Sequence, residues 1–185
     1  MRMDNSKGIT AAEIVNTYPA QRLARIFSEY GELKQAYSIA LRIEKAREIA
    51  PIETTGNLVE ILTPFLHRGK ENKMLSQIFQ AIRIEVNQEI EALKLLLEQV
   101  VDALKPHGRI AIISYHSLED RLVKIFFKTG NFEGKIETDF YGNHLTPFKL
   151  VTRKAIVPQA EEIAMNPRSR SAKLRIAEKT EARNN

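Results

Sequence analysis

Cysteine and tryptophan are both absent from these 185 residues. Without thiols there is no disulfide scaffold, no thiolate metal site and no cysteine nucleophile. The four histidines, His67, His107, His116 and His144, are scattered and form no H-E-x-x-H pattern, so no metal site is expected. Glycine is sparse, and neither a Gly-rich phosphate loop nor a G-x-G-x-x-G fingerprint occurs. A G-x-S-x-G elbow is missing too, which argues against a Ser-His-Asp hydrolase. No apolar run approaches the roughly eighteen residues of a membrane helix. The chain begins Met1-Arg2-Met3-Asp4-Asn5 with no apolar h-region, so no secretory signal and a cytoplasmic location are expected. Internal repeats are also absent.

What is present is a mildly basic chain. Its net charge is +5 and 43% of its residues are hydrophobic, ordinary for a soluble globular protein. The positive excess gathers late, in Arg168, Arg170, Lys173, Arg175 and Lys179. Guanidinium offers a planar fork of donors that suits phosphate, so this cluster points to a nucleic-acid surface or a solvated basic loop.

Residues 10 to 104 read as mostly helical. Thr10-Ala11-Ala12-Glu13 has the spacing of a capping box. Leu23, Ile26, Phe27 and Tyr30 recur at helical spacing, as do Ala36, Tyr37, Ala40, Leu41 and Ile43. Leu58, Val59, Ile61 and Leu62 make a brief helix before Pro64. The polar stretch 66 to 73 reads as a loop and a domain boundary. Beyond it, Ile78, Ile82, Val86, Ile90, Leu93, Leu97, Val100 and Leu104 form the stripe of one long helix ended by Pro106-His107-Gly108. Ile110 to Ile113 is a continuous apolar run, predicting a strand buried on both faces and, with the helix that follows, a parallel α/β unit. Lys135 to Tyr141 with the turn signal Tyr141-Gly142-Asn143-His144 suggests a hairpin. Phe148–Thr152 and Ser171–Glu178 are further candidate strands, and 161 to 165 one helical turn.

Three segments could carry chemistry. Ser114-Tyr115-His116 sits where the apolar strand turns into a helix, and open α/β sheets bind ligands beyond strand carboxyl ends. Ser117 with Asp120 reads as a capping box there. Gln80, Arg83 and Asn87 share one helical face, either a polar solvent face or a binding face. Asn166 to Arg175 places Arg168 and Arg170 among serines, a set of phosphate donors.

Together these segments resemble the 16S rRNA (cytosine-N4) methyltransferases known as RsmH or MraW. The matching blocks are FQAIRIEVNQE (79 to 89), GRIAIISYHSLEDRLVK (108 to 124) and NPRSRSAKLRIAEK (166 to 179). Shorter matches are MRMD (1 to 4), ARIFSEYGE (24 to 32) and PIETT (51 to 55), all in family order over essentially the whole chain. Two departures stand out. Lys73-Met74-Leu75-Ser76-Gln77 replaces the usual His-Pro-Ala-Thr-Arg, and Tyr115 replaces Phe.

The resemblance implies an α/β chain: a class I, Rossmann-like methyltransferase sheet represented by its last three strands, with an all-helical substrate-recognition domain. It assigns 1 to 73 to the helical insertion and 74 to 185 to the C-terminal part of the methyltransferase domain. The family's Gly-rich cofactor loop, acidic ribose-binding strand end and Asp-Leu-Gly motif would lie upstream of Met1. S-adenosylmethionine is therefore expected only in the intact enzyme, and this chain alone is expected to be inactive. Ser114, Tyr115 and His116 become candidates beside the target base. Arg83, Asn87, Arg168, Arg170 and Lys173 become candidates for RNA, with 16S rRNA in the small ribosomal subunit as partner. The alternative is a non-catalytic RNA-binding module; a helical DNA-binding regulator lacks a basic recognition helix. Self-association through an exposed sheet edge is also expected.

Overall fold

The computed structural model describes residues 1–3, 8–138, 140–142 and 145–181. Asp4 and Asn5 of the opening segment, and Asn143-His144 of the expected turn, lie outside the described residues. The chain forms two compact units, Met1–Glu89 and Ile90–Asn185.

The first unit is helical: α1 (Ala11–Thr17), α2 (Ala20–Glu29), α3 (Ala36–Arg47), α4 (Thr55–Leu62) and α5 (Glu71–Asn87). The capping box forms as its spacing predicts. The Glu13 N–H donates to Thr10 Oγ1 at 3.0 Å and the Thr10 N–H donates to Glu13 Oε2 at 2.6 Å. Thr54 and Asn57 repeat the device at the start of α4. The Asn16 side-chain amide brackets the Ile52 peptide at 2.8 and 2.9 Å, pinning the α3–α4 connection to α1. Leu23, Phe27, Ile39, Ile43, Leu62 and Ile78 are fully buried in one core.

The first compact unit extends through Glu89. The reason is α5, whose Ile78, Ala81, Ile82 and Val86 belong to the first core. The single long helix expected from 74 to 104 is also broken. Gln88 adopts left-handed backbone, φ 50° and ψ 41°, and closes α5. No glycine or proline marks this break, and the apolar stripe runs through it unchanged.

The second unit contains α6 (Glu89–Ala103), β1 (Arg109–Ser114), α7 (Ser117–Thr129), β2 (Phe148–Leu150), α8 (Ala160–Met165) and β3 (Lys173–Lys179). The sheet order is β1-β3-β2, and both pairings are antiparallel, so the parallel unit expected here does not form among the described residues. Its register sets Ser114 opposite Lys173 and Ile110 opposite Ala177. Phe126, Phe127, Phe148, Leu97, Val123 and Ala177 form the core between sheet and helices.

β1 is not buried on both faces. Ile110 and Ile112 pack on that core, while Ala111 and Ile113 face outward, Ile113 being 57% exposed. A continuous apolar run cannot reveal which of its two faces is covered. Gly130 ends α7 at φ 78°; a Cβ there would lie 2.5 Å from Pro147, so the position requires glycine twice over. Among the described residues of 135 to 141 no extended strand forms. The Leu145 N–H donates to the Glu137 carbonyl at 2.7 Å.

Candidate functional site

The end of β1 and the start of α7 are built around one carboxylate. Glu119 Oε2 accepts from the backbone N–H of Tyr115 at 3.0 Å and of His116 at 3.4 Å. In return the Glu119 N–H donates to His116 Nδ1 at 3.4 Å, so His116 rather than Ser117 caps the helix. Histidine is an uncommon N-cap, which is why the serine-based box looked correct in sequence. Accepting at Nδ1 leaves the ring proton of a neutral imidazole on Nε2. Nε2 is buried, 3.2 Å from Glu119 Oε1, yet makes no hydrogen bond in that direction. Burial resists ionisation of Glu119, but the His116 ring and the two backbone N–H groups outweigh it and hold the carboxyl below its usual range.

Around this rigid cap the neighbours diverge. Ser114 is buried, its hydroxyl donating to the Lys173 carbonyl at 3.4 Å. Tyr115 is 58% exposed, leaving its ring open on the surface.

Asp120 is drawn away from capping. Its Oδ1 accepts from Arg175 Nε at 2.7 Å and its Oδ2 from Lys173 Nζ at 3.2 Å, tying α7 to β3. Desolvation opposes the charge, but Arg175 first and Lys173 second pull the carboxyl below its normal range. Lys173 is thus already engaged, and Lys179 donates to the Val101 carbonyl.

Arg168 and Arg170 stand differently. They lie on a 3-10 turn, Pro167–Ser171, and both are exposed. The turn is fixed from beneath: the buried Ser169 donates its hydroxyl to the Asn166 carbonyl at 2.8 Å, and Asn166 Oδ1 accepts from the Arg168 N–H at 3.3 Å. This turn leads directly into β3, whose first residue faces Ser114. The blocks around 114 and 168, more than fifty residues apart, therefore meet at one end of the sheet.

In the first unit, Gln80, Arg83 and Asn87 are not an idle polar face. Gln80 Nε2 donates to the Tyr30 carbonyl at 3.1 Å. Arg83 makes a two-pronged pair with Glu89, at 2.8 and 3.0 Å, spanning the break at Gln88. Asn87 donates to the Met1 carbonyl at 3.0 Å and accepts from the Met3 N–H at 2.8 Å. Helix periodicity places the three on one face, but only the break brings Glu89 back to Arg83.

The chain matches the model of the MraW methylase family over residues 1–180. It belongs to that family. The ribosomal RNA small subunit methyltransferase H of Bacteroides thetaiotaomicron is 59% identical over 179 residues, 97% of this chain and 59% of that protein. Proteins of the same name from Parabacteroides distasonis and Flavobacterium johnsoniae are 58% and 55% identical, with the same shares covered. The chain thus spans about three-fifths of the length of these relatives.

A methyltransferase family implies S-adenosylmethionine as methyl donor. The strand-to-helix junction at 114 to 119 does not fit it. The N–H groups of Tyr115, His116 and Glu119 are consumed by the cap, and residues 109 to 129 contain no glycine to let the cofactor's nucleoside approach the backbone closely. No helix among the described residues is long and apolar enough to cross a membrane.

Proposed function

We propose that this chain is the RNA-facing portion of a cytoplasmic, S-adenosylmethionine-dependent enzyme that methylates N4 of a cytosine in 16S rRNA. The supporting observation is the sheet end where the exposed Tyr115 ring stands on the His116–Glu119 cap, beside the turn bearing Arg168 and Arg170. An exposed ring on a fixed backbone suits stacking of an unpaired base. Target N4 lies within a base pair in duplex RNA, so the base must be unstacked before attack. Ser114 and His116, the other candidates beside the target base, act by holding the junction that carries the ring, since Ser114 Oγ and His116 Nε2 are themselves buried. Arg168 and Arg170 hold phosphate. Lys173, Arg83 and Asn87 contribute second, because each is already engaged by Asp120, by Glu89 or by the Met1–Met3 backbone. No residue here is assigned to S-adenosylmethionine, and the chain by itself is proposed to be catalytically inactive. The outer edge of β1, which pairs with no strand among the described residues, is proposed to associate with a second copy of the isolated chain.

Nucleoside mass spectrometry of small-subunit rRNA tests the reading. Deleting the gene that encodes this chain is expected to remove N4-methylated cytidine. Restoring it with Tyr115→Ala is expected to slow the modification roughly five-fold to about 150-fold, since one stacked base is worth about 1–3 kcal/mol. An unchanged modification level after deletion overturns the enzymatic reading; persistence of RNA binding in that case leaves a non-catalytic binding module. In parallel, calorimetry of this chain with S-adenosylmethionine is expected to show no binding, and micromolar affinity would contradict the inactivity.

A further inference from the structure

Between Val151 and Ile156 the strand beside β3 leaves the sheet and returns. The Val151 N–H donates to the Ile176 carbonyl at 3.0 Å, and Ile156 exchanges two hydrogen bonds with Leu174 at 2.9 Å each. On β3 these anchor points are two residues apart, whereas on the facing segment they are five apart. The chain between them, Thr152-Arg153-Lys154-Ala155, is therefore extruded as an enlarged bulge, which is why β2 ends at Leu150. Bulges of this kind re-aim side chains and recur beside functional sites.

This bulge carries two adjacent cations. Arg153 and Lys154 are both exposed, and neither makes an ion pair with a described residue. The nearby carboxylates of the sheet are already taken. Asp120 binds Arg175 and Lys173, which flank Leu174, and Glu178 binds Arg109 at 2.8 Å. Thr152 adds an independent observation: its hydroxyl oxygen is buried and has no hydrogen-bond partner among the described residues. A buried hydroxyl without a partner is rare and calls for a bound group or water. The Ile156–Leu174 bridge also anchors the bulge to the start of β3, the strand entered from the Arg168–Arg170 turn.

We propose that the Thr152–Ala155 bulge is a phosphate-binding loop for single-stranded RNA, extending the basic surface beyond Arg168 and Arg170. This rests on the RNA-binding part of the function proposed above and names residues that part does not use. Two unpaired cations side by side neutralise backbone phosphates without reading sequence, so the loop sets affinity and salt dependence rather than base choice.

Filter binding of the 185-residue chain to a mixed-sequence single-stranded RNA of about twenty nucleotides, between roughly 50 and 200 mM salt, tests it. Arg153→Gln with Lys154→Gln is expected to flatten the log–log salt slope by about 1.4, from about 0.7 per lost phosphate contact. The charge-preserving pair Arg153→Lys with Lys154→Arg is expected to retain the wild-type slope. If the double glutamine variant does not fold, each single variant is expected to lose about half as much. Wild-type binding with an unchanged slope in the variants overturns this loop while leaving RNA binding intact. Failure of the wild-type chain to bind RNA overturns the broader reading and this one with it.

Discussion

The two units are of similar length but bury their apolar residues to different extents. Met1–Glu89 gathers eighteen buried residues in one cluster, whereas the cluster of the second unit has six. Exposed large hydrophobic residues run the other way: four in the first unit and twelve in the second, among the described residues. Helices close on themselves, because each satisfies its own backbone and needs to hide only one stripe. A small sheet leaves an edge and a second face to be dealt with. The helical unit is thus stabilised mainly by apolar packing. The sheet unit adds polar ties such as Asp120 with Arg175.

The contrast can be broken at its strongest point first. Phe27 is fully buried at the centre of the helical core, so Phe27→Ala is expected to cost about 3–5 kcal/mol, measured by urea denaturation. A loss under about 1 kcal/mol would show that this core is not what holds the first unit. Next in size is Asp120→Asn, which leaves the half-buried Arg175 without its counter-charge. The expected cost is about 1.5–3 kcal/mol at neutral pH. The sign with pH is definite. A carboxyl depressed by folding stabilises above its unfolded value, near 3.9, and that contribution is lost as pH falls through the lower folded value. Acid titration of the wild type should therefore show a loss below about pH 4 that shrinks in the variant; parallel curves would remove Asp120 from the account. The smallest effect on stability is expected from Ile113→Lys, within about 0.5 kcal/mol because the side chain is on the open face. Its effect on association should be the larger one. Sedimentation velocity is expected to show the wild-type chain as a dimer and the variant as a monomer, and a wild-type monomer would refute pairing through β1.

Local rules were legible where a few adjacent residues decide the outcome. The Thr10–Glu13 box, the helices of the first unit, the strand at 109 to 114 and the exposed arginines at 168 and 170 all follow from short patterns. Features set by distant partners were not. Gln88 adopts left-handed backbone with no glycine to announce it, and its consequence, the Arg83–Glu89 pair, was invisible to helix periodicity. His116 replaced Ser117 as the cap because Glu119 could reach both the ring and two backbone donors. The exposure of Ile113 depends on which elements cover β1, and the bulge at 152 to 155 on a register that exists only once β3 arrives. The family blocks located the candidate residues; only the folded geometry separated the cations with no ion-pair partner among the described residues from those already paired.

The grip of Asn87 on Met1 and Met3 has a consequence for synthesis. The two ends of that contact are 84 to 86 residues apart. At about 5–20 residues per second, the opening segment waits roughly 4–17 s on the ribosome before its partner has been made. During that interval α1 to α4 can fold from neighbouring contacts, while the bonds of Met1 and Met3 to Asn87 cannot yet form. The docking of this segment is thus completed late in the folding of the first unit, only once the end of α5 is in place.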